Sequence, residues 1–574
     1  MIDIYYKKND NTELFNNFKD IGILNSTNFI PIYTKFFNLT ENNFNSINLD
    51  QPNFLKKIKL KDNSKKSNIY DCEINNHNNN NKIKTETFLK FSPLLDPIKY
   101  MSGKYKDITE EKKCTLPTLT NKDMCLKKYV DVNNSAYVDS FFTYLTSKML
   151  NEKKFIHGID FYGSFLSLKR EFNVDIYDDL EFLDESEYFH ENKNKIFKIS
   201  NDCEDMFFES NTRNYRKKIK ISDNDIEDNS SNNIFSDLDI GIFNDVFIDN
   251  SSNEIINLSD LSNNSNLIFE NFKNSDSRST KSNCSSRSSH TSNEESDDNN
   301  DTESDVSIDE YTDDETDNTS ESSEGDCIAT IDNYPVQVIS LEKMDATLDS
   351  LLEDELDIDE WKSCLFQIII TLTTYQKIFS LTHNDLHTNN IMFIKTEKKY
   401  IIYKYNGKHY KVPTYGRLFK IIDFGRAIYK YKNNIICSDS FHENGDAATQ
   451  YNCEPYFNKN KSRLEPNFSF DLCRLGCSLY DYFKEILDDE FDKNPISNLI
   501  DEWCKDDKGR NILYKKCGGE RYPDFKLYKM IARTVNKHVP KDYIDIPLFS
   551  KFQTSKKNIG KRKVINIDEY KECY

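Results

Sequence analysis

Between residues 358 and 425 the chain runs through a fixed order of elements: a long helix, a polar cluster, an apolar strand, and a second apolar strand that ends on Asp-Phe-Gly. Trp361, Leu365, Ile368, Ile369, Leu372 and Phe379 recur at three- and four-residue steps, which predicts a helix over about 358–381 with one buried stripe. Directly after it stands His383-Asn384-Asp385-Leu386-His387-Thr388-Asn389-Asn390, at the head of the apolar run Ile391-Met392-Phe393-Ile394. Leu418 to Ile422 reads as the second strand, and Asp423-Phe424-Gly425 follows it. The intervening Tyr400–Lys411 stretch, turning at Asn406-Gly407, reads as a β-hairpin. Two polar clusters at strand ends, tied to one long helix, set an α+β class.

The polar clusters carry a specific chemistry. Phosphoryl transfer needs little covalent help; it needs Mg²⁺ held against the phosphates and a carboxylate near the attacking hydroxyl. Asp385 is the candidate to accept or orient that hydroxyl proton. Asn390 and Asp423 offer the side-chain oxygens that a hard cation requires. Gly425 lets the chain turn away sharply beside Asp423.

In these residues the chain resembles the eukaryotic-type protein kinases. His383-x-Asp385-x-x-x-x-Asn390 is similar to their catalytic loop and Asp423-Phe424-Gly425 to their metal-binding triplet. Asp471-Leu472-Cys473-Arg474-Leu475-Gly476 resembles the helix beneath that loop, whose Asp caps the loop backbone. The Asp-Leu-His-x-x-Asn form and the long spacing from Asn390 to Asp423 look most like haspin-related kinases and the kinases assigned in large DNA viruses. The resemblance implies a bilobal fold, ATP and Mg²⁺ as cofactors, His383 and Asp385 as catalytic residues, and protein Ser/Thr hydroxyls as acceptors.

It also implies nucleotide-facing residues. Leu341-Glu342-Lys343-Met344-Asp345 resembles a hinge, with backbone groups of Glu342 and Met344 meeting the adenine edge. Lys90, in Thr87-Phe88-Leu89-Lys90, resembles the phosphate-pairing lysine; Lys127 and Lys128 are the alternatives. The usual partner of that lysine is a Glu on the next helix, yet the predicted helix Ala136–Leu150 has none, and Asp139 is its substitute. The sequence departs from the pattern elsewhere. No glycine occurs from Gln51 to Lys90, Asn384 replaces the loop arginine, His387 replaces a frequent lysine, and Cys453-Glu454-Pro455 is the nearest counterpart of A-P-E.

Composition divides the rest. Residues 293–326 are almost wholly Asp, Glu, Ser, Thr and Asn, which cannot bury enough apolar surface to offset chain entropy. The expected organisation is an N-terminal extension of unknown role (1–50) and a small lobe (51–166) with strands at 86–91 and 159–165 and a returning strand at 334–341. A largely disordered acidic insertion (167–333) follows. The hinge and large helical lobe occupy 342–553, with a short helix near 347–352, and a basic tail covers 554–574. A net charge of −20 argues against direct nucleic-acid binding. No stretch approaches the about 20 apolar residues needed to span a bilayer. Fourteen cysteines without a C-x-x-C pair suggest reduced thiols in a cytoplasmic compartment, with Cys473 and Cys477 as core residues. The Asn- and Lys-rich bias resembles AT-rich coding, and a viral origin would put the chain in the host cytoplasm or the virion. Two other readings remain: a small-molecule phosphotransferase, or a pseudokinase that binds partners.

Overall fold

The computed structural model describes residues 2–60, 67–77, 81–200, 203, 327–353 and 356–574. The acidic tract expected to be disordered therefore lies outside the described residues. Helices and strands alternate with extended loops in an α+β arrangement.

Seven antiparallel strands form one sheet: β1 (Ile23–Thr27), β2 (Asn53–Lys59), β3 (Ile69–Asn76), β4 (Lys82–Pro93), β5 (Phe161–Asp175), β6 (Phe197–Ile199) and β7 (Ile328–Glu342). Their order is β1-β5-β7-β4-β3-β2, with β6 paired to the first part of β7. β7 is central, so it is buried without interruption from Tyr334 to Leu341. Its one buried amide, Gln337, donates to Ser140 (2.7 Å) and Ser164 (2.5 Å). Helix α1 (Ser135–Lys153) connects β4 to β5 and is buried on every side from Ala136 to Met149. Asn134 caps its first turn, and Lys154 ends it in the left-handed region at φ 61°.

Helix α2 (Ile358–Phe379) follows β7 and opens with a capping box between Asp357 and Glu360. Strands β8 (Ile391–Lys395) and β11 (Arg417–Ile421) pair antiparallel, and the hairpin β9 (Tyr400–Tyr405)–β10 (Lys408–Pro413) projects between them. Asn406 and Gly407 turn that hairpin with φ of 48° and 73°, the two positive values a primed turn needs. A second hairpin, β12 (Ile428–Tyr431)–β13 (Asn434–Cys437), precedes helices α3 (Phe470–Leu487), α4 (Pro495–Trp503) and α5 (Phe525–Thr534). Phe142 of α1 stacks near Tyr429 at 4.7 Å and meets Phe379 of α2 at 5.3 Å, so one apolar core runs from the sheet into the helical half.

Several boundaries fall elsewhere than the sequence suggests. β5 and β7 pair continuously out to Asp175↔Ile328, past the boundary drawn at 166. There Phe172 and Val174 point inward while Glu171 and Asn173 face solvent; half of the strand is polar and reads as loop. Residues 1–50 are part of the fold: β1 pairs with β5, and Phe18 meets Phe165 edge-on at 5.4 Å. The tail is also packed. Ile565–Asn566 runs parallel to β9, and the Asp568 carboxylate accepts from the Asn406 and Gly407 amides at 2.7 and 3.0 Å. The helix expected near 347–352 is one 3₁₀ turn, Asp349–Leu351, because Ala346–Thr347 pairs with β8 instead.

Cys473 and Cys477 are buried, but the reading of uniformly reduced thiols meets an exception in the disulfide between Cys203 and Cys327. Among the described residues no helix is long and apolar enough to cross a membrane.

His157 pins the two halves together from a fully buried position. Its Nδ1 lies 2.7 Å from the Phe419 carbonyl and its Nε2 2.7 Å from the Tyr403 hydroxyl. Burial pushes its pKa down to about 4 from 6.5, against the pull of the Phe419 carbonyl and with help from Lys420. The unfolded chain takes up that proton near pH 6.5 and the fold does not. The stabilisation is therefore complete above that pH and is lost as pH falls toward 4, by up to roughly 3 kcal/mol. Thermal melts should show the wild-type midpoint falling from pH 7 to pH 5, with a shallower fall in His157→Gln; parallel slopes would contradict this.

Candidate active site

The site lies where β4, α1 and the end of β11 converge. Lys90 points from β4 into this junction. Its ammonium lies 2.7 Å from Asp139 Oδ2 and 3.0 Å from Asp423 Oδ1. Asp139 sits on the first turns of α1, where its other oxygen accepts the Phe424 amide at 2.8 Å. Asp423 is held at φ 62°, a conformation costly for a residue with a Cβ. Phe424 behind it is completely buried against Phe142, at 4.5 Å, and His383, at 5.3 Å. Burial raises the Asp139 carboxyl despite Lys90, whereas at Asp423 burial is outweighed by Lys90, and the carboxyl stays below its ordinary range.

The loop between α2 and β8 is shaped from below. Both oxygens of the fully buried Asp471, on the first turn of α3, accept backbone amides, those of His383 and Asn384, at 2.9 Å each. His383 Nε2 lies 2.9 Å from the Ile422 carbonyl, and its Nδ1 accepts the Asp385 amide at 3.3 Å. Both ring nitrogens thus serve backbone, and His383 acts as a strut of the loop. Asn390 Nδ2 donates to the Asp385 carbonyl at 2.8 Å, which leaves its Oδ1 as the oxygen available for a cation. Asp385 Oδ1 accepts the Tyr528 hydroxyl at 2.9 Å. Burial opposes its charge, but Arg426, His387 and Arg474 hold its carboxyl well below the usual carboxylate range.

Glu342 and Met344 lie where β7 leaves the sheet. The Glu342 side chain is taken by Lys420, at 2.5 Å, and by the Asp160 amide, at 2.7 Å, and its backbone amide donates to the Asp160 carbonyl at 2.9 Å, so of its polar groups the backbone carbonyl is the candidate to face a ligand there. Lys128 pairs with Asp439 at 3.0 Å and Lys127 is exposed; of the candidate lysines, Lys90 is the one brought to Asp423. The segment after Gly425 is tied down by uncharged, carboxylate and cationic partners, the last being Lys128 on Asp439 and Arg533 on the Thr449 carbonyl. Tyr451 donates to Asn384 Oδ1 at 2.7 Å, Arg426 bonds Asp446 at 2.7 Å, and Asp439 accepts the Ser135 amide at 2.9 Å. Tyr528 and the pairings of Arg474 with Tyr528 and of Glu342 with Lys420 are absent from the sequence reading, since no local pattern marks partners so distant in the chain.

These features can be set beside known proteins. No protein-family model matches the chain. It is 28% identical over 201 residues to a candidate serine/threonine-protein kinase of Acanthamoeba polyphaga mimivirus, covering 33% of this chain and 46% of that protein. A candidate serine/threonine-protein kinase of Dictyostelium discoideum matches at 34% over 103 residues, 17% of this chain and 8% of that protein. The serine/threonine-protein kinase haspin of Mus musculus matches at 34% over 86 residues, 15% of this chain and 10% of its own length. The relationship is kinase-like. The chain spans less than half the length of each of these relatives, and the kinase-like likeness is partial on both sides.

The kinase-like loop has a measurable dependence on its buried cap. Replacing Asp471 with Ala orphans two buried amide donors, each bonded to a charged acceptor, which costs about 3–5 kcal/mol in total. Urea unfolding of Asp471→Ala should show that loss; a change below ~1 kcal/mol would mean that other groups hold the loop.

Proposed function

We propose that the chain is an ATP-dependent protein kinase that transfers the γ-phosphoryl group to protein Ser/Thr hydroxyls with Mg²⁺. The observation that carries this reading is the ammonium of Lys90 bonded at once to Asp139 and Asp423. Active kinases need the strand lysine paired to the helix acid while the triplet Asp stands at the metal position. The strand order β2-β3-β4-β7-β5, with α1 between β4 and β5 in the chain, supports a small lobe above the helical half, and thus a bilobal kinase fold.

In this reading the residues divide the work. Lys90 holds the nucleotide phosphates, and the backbone of Glu342 and Met344 meets the adenine edge. Asn390 and Asp423 suit Mg²⁺ because both offer oxygen. Among the described residues no cluster of three His, Cys, Asp or Glu side chains is arranged for a metal, so phosphate oxygens would complete the coordination. Bound Mg²⁺ supplies neutralisation of the charge on the transferred phosphoryl oxygens. Asp385, with its carboxyl held low, is a weak base; it orients the acceptor hydroxyl and takes the proton late. His383 positions the loop.

Purified protein incubated with labelled ATP, Mg²⁺, dephosphorylated casein and myelin basic protein should transfer label, and Asp423→Ala should abolish it. Asp385→Asn should keep the fold and nucleotide binding but lower transfer by ~10²–10⁴-fold. Transfer that survives both substitutions would overturn the reading, and label appearing only on small-molecule acceptors would move the substrate class.

The segment between Arg426 and Glu454 sharpens a further expectation. Asn384 stands where a loop arginine would clamp a phosphate, and it binds Tyr451 instead. Arg426 already holds Asp446. Phosphatase treatment should therefore change the rate by less than about tenfold, ~1.4 kcal/mol of barrier. A larger fall, reproduced by Ala at Ser438, Ser440 and Thr449, would show that a phosphate is required.

A further inference from the structure

Two guanidiniums lie near the carboxylate of Asp385. Arg426 Nη1 stands 4.0 Å from Oδ1, drawn aside by its 2.7 Å bond to Asp446. Arg474 gives its Nε to the phenolic oxygen of Tyr528 at 2.9 Å. That hydroxyl then donates to Asp385 Oδ1, also at 2.9 Å, across 143 residues of sequence. Both guanidiniums lie over the Tyr528 ring, Arg474 at 5.2 Å and Arg426 at 5.7 Å from its centre.

We propose that Tyr528 is a positioning residue for phosphoryl transfer, fixing Asp385 through Oδ1 so that Oδ2 faces the acceptor hydroxyl. The assignment rests on the kinase reading and deepens it. A direct Arg–carboxylate pair would be bidentate and would occupy both oxygens of Asp385. A phenol can donate only one bond, so it orients the group and leaves one oxygen open. The arginine behind it polarises the O–H and strengthens that single bond.

The fold supplies the rigidity this needs. Arg474 lies one turn after Asp471 on α3, so one face of one helix both caps the loop and backs the tyrosine. Tyr528 is on α5, whose Leu527, Ile531 and Ala532 are buried in the second apolar core together with Phe470 and Cys473 of α3. Phe525 stacks on the Tyr528 ring at 5.4 Å. The hydroxyl is therefore delivered by a packed helix, not by a loop, and its only contribution to the site is one donor aimed at one oxygen.

The test compares wild type, Tyr528→Phe, Arg474→Gln and the double variant, with labelled ATP, Mg²⁺, dephosphorylated casein and myelin basic protein as probes. Tyr528→Phe removes one oxygen atom and should lower kcat by about ten- to a hundredfold, with acceptor KM, nucleotide affinity and melting temperature nearly unchanged. Arg474→Gln should lower kcat in the same direction, and the double variant should be no slower than the worse single, as expected of groups acting in series. An unaltered or higher kcat in Tyr528→Phe overturns the role, as does a loss that appears in KM or is multiplicative in the double variant. Should Tyr528→Phe melt early, Arg474→Gln and replacement of Tyr528 by 3-fluorotyrosine decide the matter; a rate indifferent to both overturns the proposal. Absence of Asp423-dependent transfer in the wild type overturns the kinase reading together with it, and is told apart by nucleotide-dependent stabilisation measured in parallel.

Discussion

Lys90 joins elements that lie far apart in the chain. Its ammonium is shared by Asp139, which belongs to a helix buried on all sides, and by Asp423, which belongs to a loop at the end of a strand in the other half of the molecule. Two neighbouring carboxylates repel each other, and the buried Asp139 alone would lose more in desolvation than it gains from packing. The lysine between them makes the arrangement tolerable, and the Phe424 amide on Asp139 adds a second tie. Because Phe424 is packed against Phe142 of the same helix, the charge cluster and the aromatic core fix one another. Moving α1 away would break both at once.

Much of this was legible from the residues because the relevant signals are local. The periodic stripe of α2, the two apolar strands and the turn residues Asn406-Gly407 are read within windows of a few residues. Asp139 could be named because the helix after Lys90 offers so few acids. The edges of the fold were less legible. β5 beyond Leu168 alternates polar and apolar residues next to a strongly polar tract, and composition alone assigns it to the insertion. The first fifty residues and the last twenty have scattered apolar positions whose partners are hundreds of residues away, as with the Tyr431 hydroxyl on the Ile2 carbonyl.

The candidate site shows the same division. Asp385, Asn390 and Asp423 were readable because the chemistry dictates their types and spacing, whereas Tyr528 and its pairing with Arg474 were not. An aromatic residue at helical spacing in α5 looks like core, and most of its ring is core: it stacks on Phe525 and lies near Phe470. Only the last atom of the side chain leaves the apolar cluster. No pattern of hydropathy distinguishes a tyrosine that merely satisfies its hydroxyl from one that aims it at a particular oxygen. That difference is a matter of geometry between distant elements.

The electrostatics around this group of side chains has a consistent logic. Arg426 bonds Asp446 at 2.7 Å and stands 4.0 Å from Asp385, and Arg474 bonds Tyr528 at 2.9 Å, so each guanidinium near Asp385 also serves another group. Lys90 serves two acids at once and leaves Asp139 and Asp423 together one charge short of balance. The outcome is a buried region whose carboxylates are oriented by single hydrogen bonds and shared cations, not cancelled by private partners. A site built to be stable on its own would pair each acid fully, since an incompletely compensated buried charge is costly. The deficit is the physical argument for a cation at this place, and in the proposed reading Mg²⁺, which Asn390 and Asp423 would hold, supplies that charge.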